Sequence, residues 1–360
     1  MGARGAVSSG SRLALGLVLV LTACDRGDPV DVPRSFLPPW VVFSNHGFEH
    51  ERAGAPKVAA LRERERLDEV VAGADSEIAV FEALTLWARR QFVPGIPDPY
   101  PPSNGLDLLD EIRAGRTGGF CGQYAYLLAD ALKSLGFWDV RYVEGWADER
   151  SSHFLVEAWS NELGRWVVLD PLHAATVVDD GGRSLSAAEV HDAAVGVEGA
   201  PAARRKWLAP ESEVPHDDER RYLEHFKLIA VSLRNDLAEA ARPWTIAERR
   251  AEMLALRDAA NEDLLPGNYR RQSSRRADFE GARNLCRATI EPGDGGFAAG
   301  LETLGTCAHF AGFEVRIDDG AWVPSSERAR LPAAFRSVEC RCVNALGIRG
   351  VVTRVETAGP

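Results

Sequence analysis

The sequence predicts an α+β protein that ends in a small β-sandwich, and three patterns carry that expectation. Apolar residues recur at three- and four-residue steps from about residue 57 to Gly136, the period of buried helix faces. The period then drops to two over 140–146, 153–159 and 166–170, as in paired strands. From about residue 278 short alternating runs separated by turns take over, and roughly 85 such residues suit two packed antiparallel sheets.

The chain has 360 residues, enough for two domains with cores of their own. Asp and Glu number 53 against 42 Lys and Arg, and no long basic run occurs, so nucleic acid is not an expected partner. Residues 1–23 read as an export signal. Arg4 and Arg12 precede an apolar core at 13–21 that is too short to span a bilayer comfortably. That core runs into Leu21-Thr22-Ala23-Cys24, which resembles a bacterial lipobox, and the resemblance implies lipid on Cys24. An ordinary signal peptide or an uncleaved anchor are the alternatives. The expected location is therefore outside the cytoplasm, periplasmic or cell-surface, with the membrane contacted through an N-terminal lipid.

Residues 24–60 read as a tether and lead-in. Pro29, Pro33, Pro38 and Pro39 have linker chemistry, and Trp40, Val41, Val42 and Phe43 are apolar enough to dock. His46 and His50 lack further ligands at metal-site spacing and read as surface histidines. A charged amphipathic helix covers 57–67. A stronger one starts at Ser76, where Asp75 and Glu77 suit a helix start, and Ile78, Phe81, Leu84, Leu86 and Trp87 give it a broad apolar side. Prolines 94, 97 and 99 end it, and a short helix follows at 106–112.

Gly118-Gly119-Phe120 then lead into Cys121. Tyr124, Leu127, Leu128, Ala131, Leu132 and Leu135 form one stripe, and Gly136 is placed to cap the end. Cys121 thus falls on the first turn of a buried helix. Free N–H groups and the positive end of the helix dipole there favour a thiolate. The other reading of a single cysteine is a buried structural thiol.

The hairpin 153–170 supplies the test. If Ser160 pairs with Arg165, Asp170 faces Leu155, and His153 lies two residues from Leu155 on the same side. Diagonal Cα atoms are then about 7–8 Å apart, within reach of two side chains. A shift of one residue would put them on opposite faces. A cysteine at a helix start, a histidine on one strand and a carboxylate on the next form a Cys121–His153–Asp170 set. The thiolate attacks a carbonyl carbon, the imidazole moves the proton, and the carboxylate fixes the ring's tautomer.

The segments Gly119-Phe120-Cys121-Gly122-Gln123-Tyr124-Ala125, Arg141-Tyr142-Val143-Glu144-Gly145-Trp146, His153-Phe154-Leu155-Val156-Glu157 and Trp166-Val167-Val168-Leu169-Asp170-Pro171 resemble the transglutaminase-like superfamily. The resemblance covers about residues 75–175. It implies a papain/transglutaminase-like catalytic domain, a Cys–His–Asp site at Cys121, His153 and Asp170, a protein or peptide substrate, and no cofactor or metal. It also implies a thiol enzyme that cuts or transfers an amide. A non-catalytic binding scaffold on the same fold is the alternative.

Other residues stay open at this point. Trp87 lines an oxyanion site in some such proteins, but its helical spacing reads as core. Gln123 either orients substrate or faces solvent, Glu157 either tunes the site or is a solvated rim residue, and His173 has no assigned role. Residues 176–218 read as irregular, 222–233 as a helix or strand, and 246–265 as a charged helix stopped by Pro266-Gly267. Together, 176–270 form an elaboration placed to cover the cleft. The expected division is a signal at 1–23, a tether at 24–60, a catalytic domain at 61–270 and an immunoglobulin-like sandwich at 275–360. Cys286, Cys307, Cys340 and Cys342 lie in that last part. Cys340 and Cys342 share a strand face, so each should reach a different partner if both disulfides form.

Overall fold

The computed structural model describes residues 34–37, 41–210, 218–239, 242–264, 269–293 and 296–356. The export signal, Cys24, the four tether prolines and Trp40 lie outside the described residues, as do Leu265, Pro266 and Gly267. No helix among the described residues is long and apolar enough to cross a membrane.

After a short strand β1 (Arg34–Phe36) come α1 (Pro56–Arg64), α2 (Leu67–Val70), α3 (Glu77–Arg89), α4 (Gly105–Arg113) and α5 (Cys121–Ser134). Their starts follow the local chemistry. The Ser76 hydroxyl accepts from the Ala79 N–H at 3.2 Å, and Asn104 Oδ1 accepts from Asp107 at 2.9 Å. Every residue of α5 after Cys121 is buried. A helix enclosed all round must be central, and α1, α3 and α4 pack on it from one side while strands close the other.

Those strands are β2 (Val140–Trp146), β3 (Ser152–Ser160), β4 (Arg165–Asp170), β5 (Ala175–Val178), β6 (Arg204–Trp207), β7 (Leu228–Ser232), β8 (Met253–Leu256) and β9 (Arg271–Ser273). They form one sheet in the order β6-β5-β4-β3-β2-β7-β8-β9, antiparallel except for β8 and β9. Alternation sorts its side chains. Tyr142, Phe154, Val156, Val167 and Leu169 join the core around α5. Val143, Leu155 and Val168 face the other way, against a cluster that includes α6 (Ala187–Val195) and α7 (Glu219–Glu224). The three central strands fall within two residues of the periodicity. Residues 176–218, expected to be irregular, instead hold most of β5 together with α6 and β6. The Ser186 hydroxyl accepts from Glu189 N–H at 3.2 Å while Glu189 accepts from Ser186 N–H at 3.0 Å, a capping box that was legible in the sequence.

The expected long helix at 246–265 is also corrected. Helix α8 (Ile246–Ala251) is short, and Met253–Leu256 is a fully buried strand paired to β7. An apolar run hydrogen-bonded into a sheet outweighs the helical preference of its charged flanks.

The C-terminal part holds α9 (Ala277–Glu280), β10 (Leu285–Gly293), β11 (Gly296–Leu304), β12 (Phe310–Ile317), β13 (Val323–Ser325), β14 (Arg328–Leu331), β15 (Ser337–Asn344) and β16 (Thr353–Glu356). Sheets β10-β11-β14 and β1-β16-β15-β12-β13 share one apolar cluster, centred on Ile290, Leu301, Phe313, Val315 and Val338. Within the lead-in, β1 is the edge strand of the larger sheet. Cys286 Sγ lies 3.0 Å from Cys340 Sγ, and Cys307 neighbours Cys342, so the two strand cysteines do face different partners. His50 departs from its surface reading: its Nε2 lies 2.9 Å from Asp139 Oδ1, and its side chain is only 10% exposed. Asp139 sits at the buried end of the turn before β2 and draws the ring inward.

Candidate active site

Two glycines put Cys121 where it is. A Cβ on Gly118 would lie 2.5 Å from the Ile96 carbonyl oxygen, and one on Gly119 would lie 2.5 Å from the Phe92 ring. Without them the loop before α5 could not close on the 94–97 loop, where Gly95 N–H donates to the Gly119 carbonyl at 2.8 Å. Phe120 precedes the helix, and its N–H donates to Gln123 Oε1 at 3.0 Å. Gln123 therefore neither faces solvent nor stands free. It is buried and closes the helix start, leaving Cys121 on the first turn, where backbone N–H groups have no intrahelical acceptor.

The β3–β4 ladder has the register that brings histidine and carboxylate to one side. Ser160 pairs with Arg165 and Val156 with Leu169. Asp170 Oδ2 accepts from His153 Nε2–H at 2.7 Å, and both side chains are buried. With Nε2 committed to Asp170, the nitrogen left to the thiol is Nδ1, and the Cys121 side chain is a hydrogen-bond partner of the ring. Burial opposes charge on His153. The Asp170 carboxylate and the hydrogen bonds to Asp170 and Cys121 outweigh it and raise the imidazole to about 10. Asp170 is held well below the usual carboxylate range: its burial is overcome by His153 and by a second ring, His173.

His173 is the residue the sequence left without a role. Its Nδ1–H donates to the same Oδ2 at 2.9 Å, and its backbone N–H donates to Oδ1 at 3.2 Å. The signal was there: the proline after Asp170 turns the chain, and a histidine three residues on can fold back over the carboxylate. His153, Asp170 and His173 are also the group of described residues whose ligand atoms, all within 4.8 Å, are close enough to share a cation. Those atoms already hydrogen-bond one another, which suits a fixed tautomer. His225 adds a third ring 5.7 Å from His153, and its Nε2 lies 3.1 Å from Ser151 Oγ.

Cys121 opens into a cleft of about 510 Å³. Pro94, Ile96 and Pro97 wall one side, Tyr100 and Phe120 stand at the rim, and Phe154, Glu144 and Arg249 lie at the base. Ile246 and Arg249 of α8 line it, so the segment after the triad strands contributes a wall. Trp87 does not line the cleft and packs against the α5 core, as its spacing implied. Glu157 is fully buried: its Oε2 accepts from Arg141 at 2.7 Å and its Oε1 from the Ala187 N–H at 2.5 Å. It ties β3 to β2 and α6, so it is neither a rim residue nor part of the site.

The family model for the transglutaminase-like superfamily matches residues 64–171, the span that holds α5 and the β3–β4 hairpin. These residues belong to the transglutaminase-like superfamily. No curated protein matches the chain. Among solved structures, a crystal structure of red sea bream transglutaminase aligns with 84% of this chain at 13% identity and a TM-score of 0.24. The chain spans 56% of that enzyme's length. Within the transglutaminase-like domain, Cys121, His153 and Asp170 occupy the helix start, the strand and the facing strand end. Arg249 and Glu144, which shape the cleft, carry no local motif. Glu144 reads as one polar residue of a strand and Arg249 as one charge of a charged helix, and only the sheet's topology unites them.

Proposed function

We propose that the protein is a thiol enzyme that cuts or transfers an amide through a thioester on Cys121. The observation that carries this reading is the 2.7 Å hydrogen bond from His153 to the buried Asp170, beside a cysteine that opens into a cleft. The sulfur adds to the carbonyl carbon of a peptide or glutamine-type amide, and the carbonyl π pair becomes the oxyanion. In this reading the Cys121 N–H serves as one donor to that oxygen, a kind of contact worth about 10²–10³ in rate. Protonated His153 gives its proton to the departing nitrogen, the C–N bond breaks, and an acyl-enzyme and free amine result. His153, now neutral, takes a proton from water or from an acceptor amine, which attacks the thioester and expels the thiolate. Water yields an acid and an amine yields a new amide.

The reading extends to the rest of the chain. The N-terminal pattern ending in Cys24 supports an exported lipoprotein held at a membrane. The C-terminal pair of sheets is read as an immunoglobulin-like sandwich. Incubation with peptide libraries and cell-wall peptides, with and without an added amine, tests the activity. New products or cross-links that require Cys121 are expected. No products from any peptide, with ligand binding and cellular phenotype unchanged in Cys121→Ala, would favour a binding scaffold, and the same products from Cys121→Ala would overturn the role of this cysteine.

A further inference from the structure

The base of the cleft holds an unbalanced positive charge. Glu144 is 1% exposed, and two arginines converge on it. Arg250 donates to it twice, at 3.3 and 3.1 Å, and stacks its guanidinium 4.7 Å over the Trp146 ring. Tyr269 donates to the same carboxylate at 2.8 Å. Arg249 has less. One of its terminal nitrogens reaches Glu144 at a long 3.3 Å, and its Nε has no hydrogen-bond partner. The Tyr126 hydroxyl is its other hydrogen-bonding neighbour and brings no second carboxylate to the charge. Yet Arg249 is only 7% exposed, its guanidinium lies 4.3 Å over the Phe154 ring, and it lines the cleft that Cys121 opens into.

One carboxylate cannot neutralise two guanidinium groups. Burying a cation with a donor unpaired is costly unless a ligand completes it. A guanidinium fork matches a carboxylate in shape, and apolar walls such as Pro94, Ile96 and Pro97 strengthen the attraction by excluding water. The excess is a single charge, which suits a monoanion better than a phosphate. Resting on the thioester reading of the same cleft, we infer that Arg249 selects acyl donors that carry a carboxylate near the scissile amide. The apolar rim at Ile96, Phe120 and Ile246, all at least 49% exposed, takes the flanking apolar part of such a peptide.

Affinity labels of Cys121 test this without a known substrate. N-iodoacetyl-glutamic acid α-amide is compared with N-iodoacetyl-glutamine α-amide, and the aspartate probe with its asparagine counterpart. Alkylation of Cys121 is followed by mass spectrometry on the whole chain, and each acid-to-amide rate ratio is divided by that of a free peptide thiol. A ratio of about tenfold or more is expected for at least one pair, as for a hydrogen bond to a charged group. It should collapse in Arg249→Gln and survive in part in Arg249→Lys. A preference that persists undiminished in Arg249→Gln belongs to the His153 imidazolium and overturns the inference. So do wild-type ratios of one for both pairs, which decide the matter even where a variant fails to fold. Labelling by every probe no faster than a free thiol would overturn the nucleophile reading itself. Fast labelling without carboxylate preference would overturn the role of Arg249 alone.

Discussion

At the scale of single residues, Asp170 is the pivot. It is a fully buried carboxylate serving two imidazoles, and its charge keeps His153 protonated against the pull of burial. Asp170→Asn should keep the fold and lower turnover by about 10²–10⁴, because an amide neither stabilises imidazolium nor enforces the tautomer. Comparing kcat and KM for whichever substrate the libraries yield checks this, the loss being expected in kcat. The same ion pair makes stability depend on pH. The folded state raises His153 from 6.5 to about 10, so its contribution is complete below the unfolded value and declines as pH rises through about 10. Asp170 is lowered from 3.8, so its contribution is present above that value and fades as pH falls toward the lower folded one. Both shifts describe one pair and count once. Urea midpoints measured from pH 6 to 10 should fall in wild type, and the part of that fall due to His153 should vanish in His153→Gln.

Among the elements, α5 and the β3–β4 hairpin set the site's precision. Leu127 is fully buried in the core that carries the helix, and Leu127→Ala should cost about 2–5 kcal/mol in denaturant unfolding. The hairpin was legible because its register follows from a short turn and from alternation: Trp159 opposite Trp166 leaves only one parity for His153 and Asp170. Where the sequence was misread, local preference and tertiary pairing disagreed. Residues 253–256 follow directly on a charged helix, and only the neighbouring β7 makes them a strand. The cysteines of the C-terminal sheets give another check at this scale. In oxidising conditions, peptide mapping without reductant should find Cys286 joined to Cys340 and Cys307 to Cys342. Cys340 joined to Cys342 would contradict their placement on one strand face, and Cys340 joined to Cys307 would contradict the proximities in these sheets.

Over the whole molecule, the C-terminal sheets are built onto the transglutaminase-like domain. Trp159 and Trp166 of the hairpin share an apolar cluster with Ala282, Leu285 and Val351, and Asn344 Nδ2 donates to the Gly136 carbonyl at 2.8 Å. Removing residues from 275 onward would uncover both tryptophans. The truncated chain should melt at lower temperature or aggregate, as static light scattering during a thermal ramp would reveal. This coupling was not legible in the sequence, because contacts between residues more than a hundred apart leave no periodic mark. Cys121, His153 and Asp170 were legible because each sits at a landmark: a glycine-led helix start, a strand, and a strand end before proline. Arg249 and Glu144 were not, since each is an ordinary charge until the sheet brings β2 against the chain beyond β7.

The most direct test is the rate at which iodoacetamide alkylates Cys121 at pH 6, in wild type and in His153→Ala. An ordinary thiol, with a pKa of about 8.5, is almost wholly protonated there and reacts slowly. A sulfur paired with protonated His153 should react fast, and removing the ring should slow it by about 10² or more. Equal, slow labelling of the two proteins would contradict a nucleophile at Cys121.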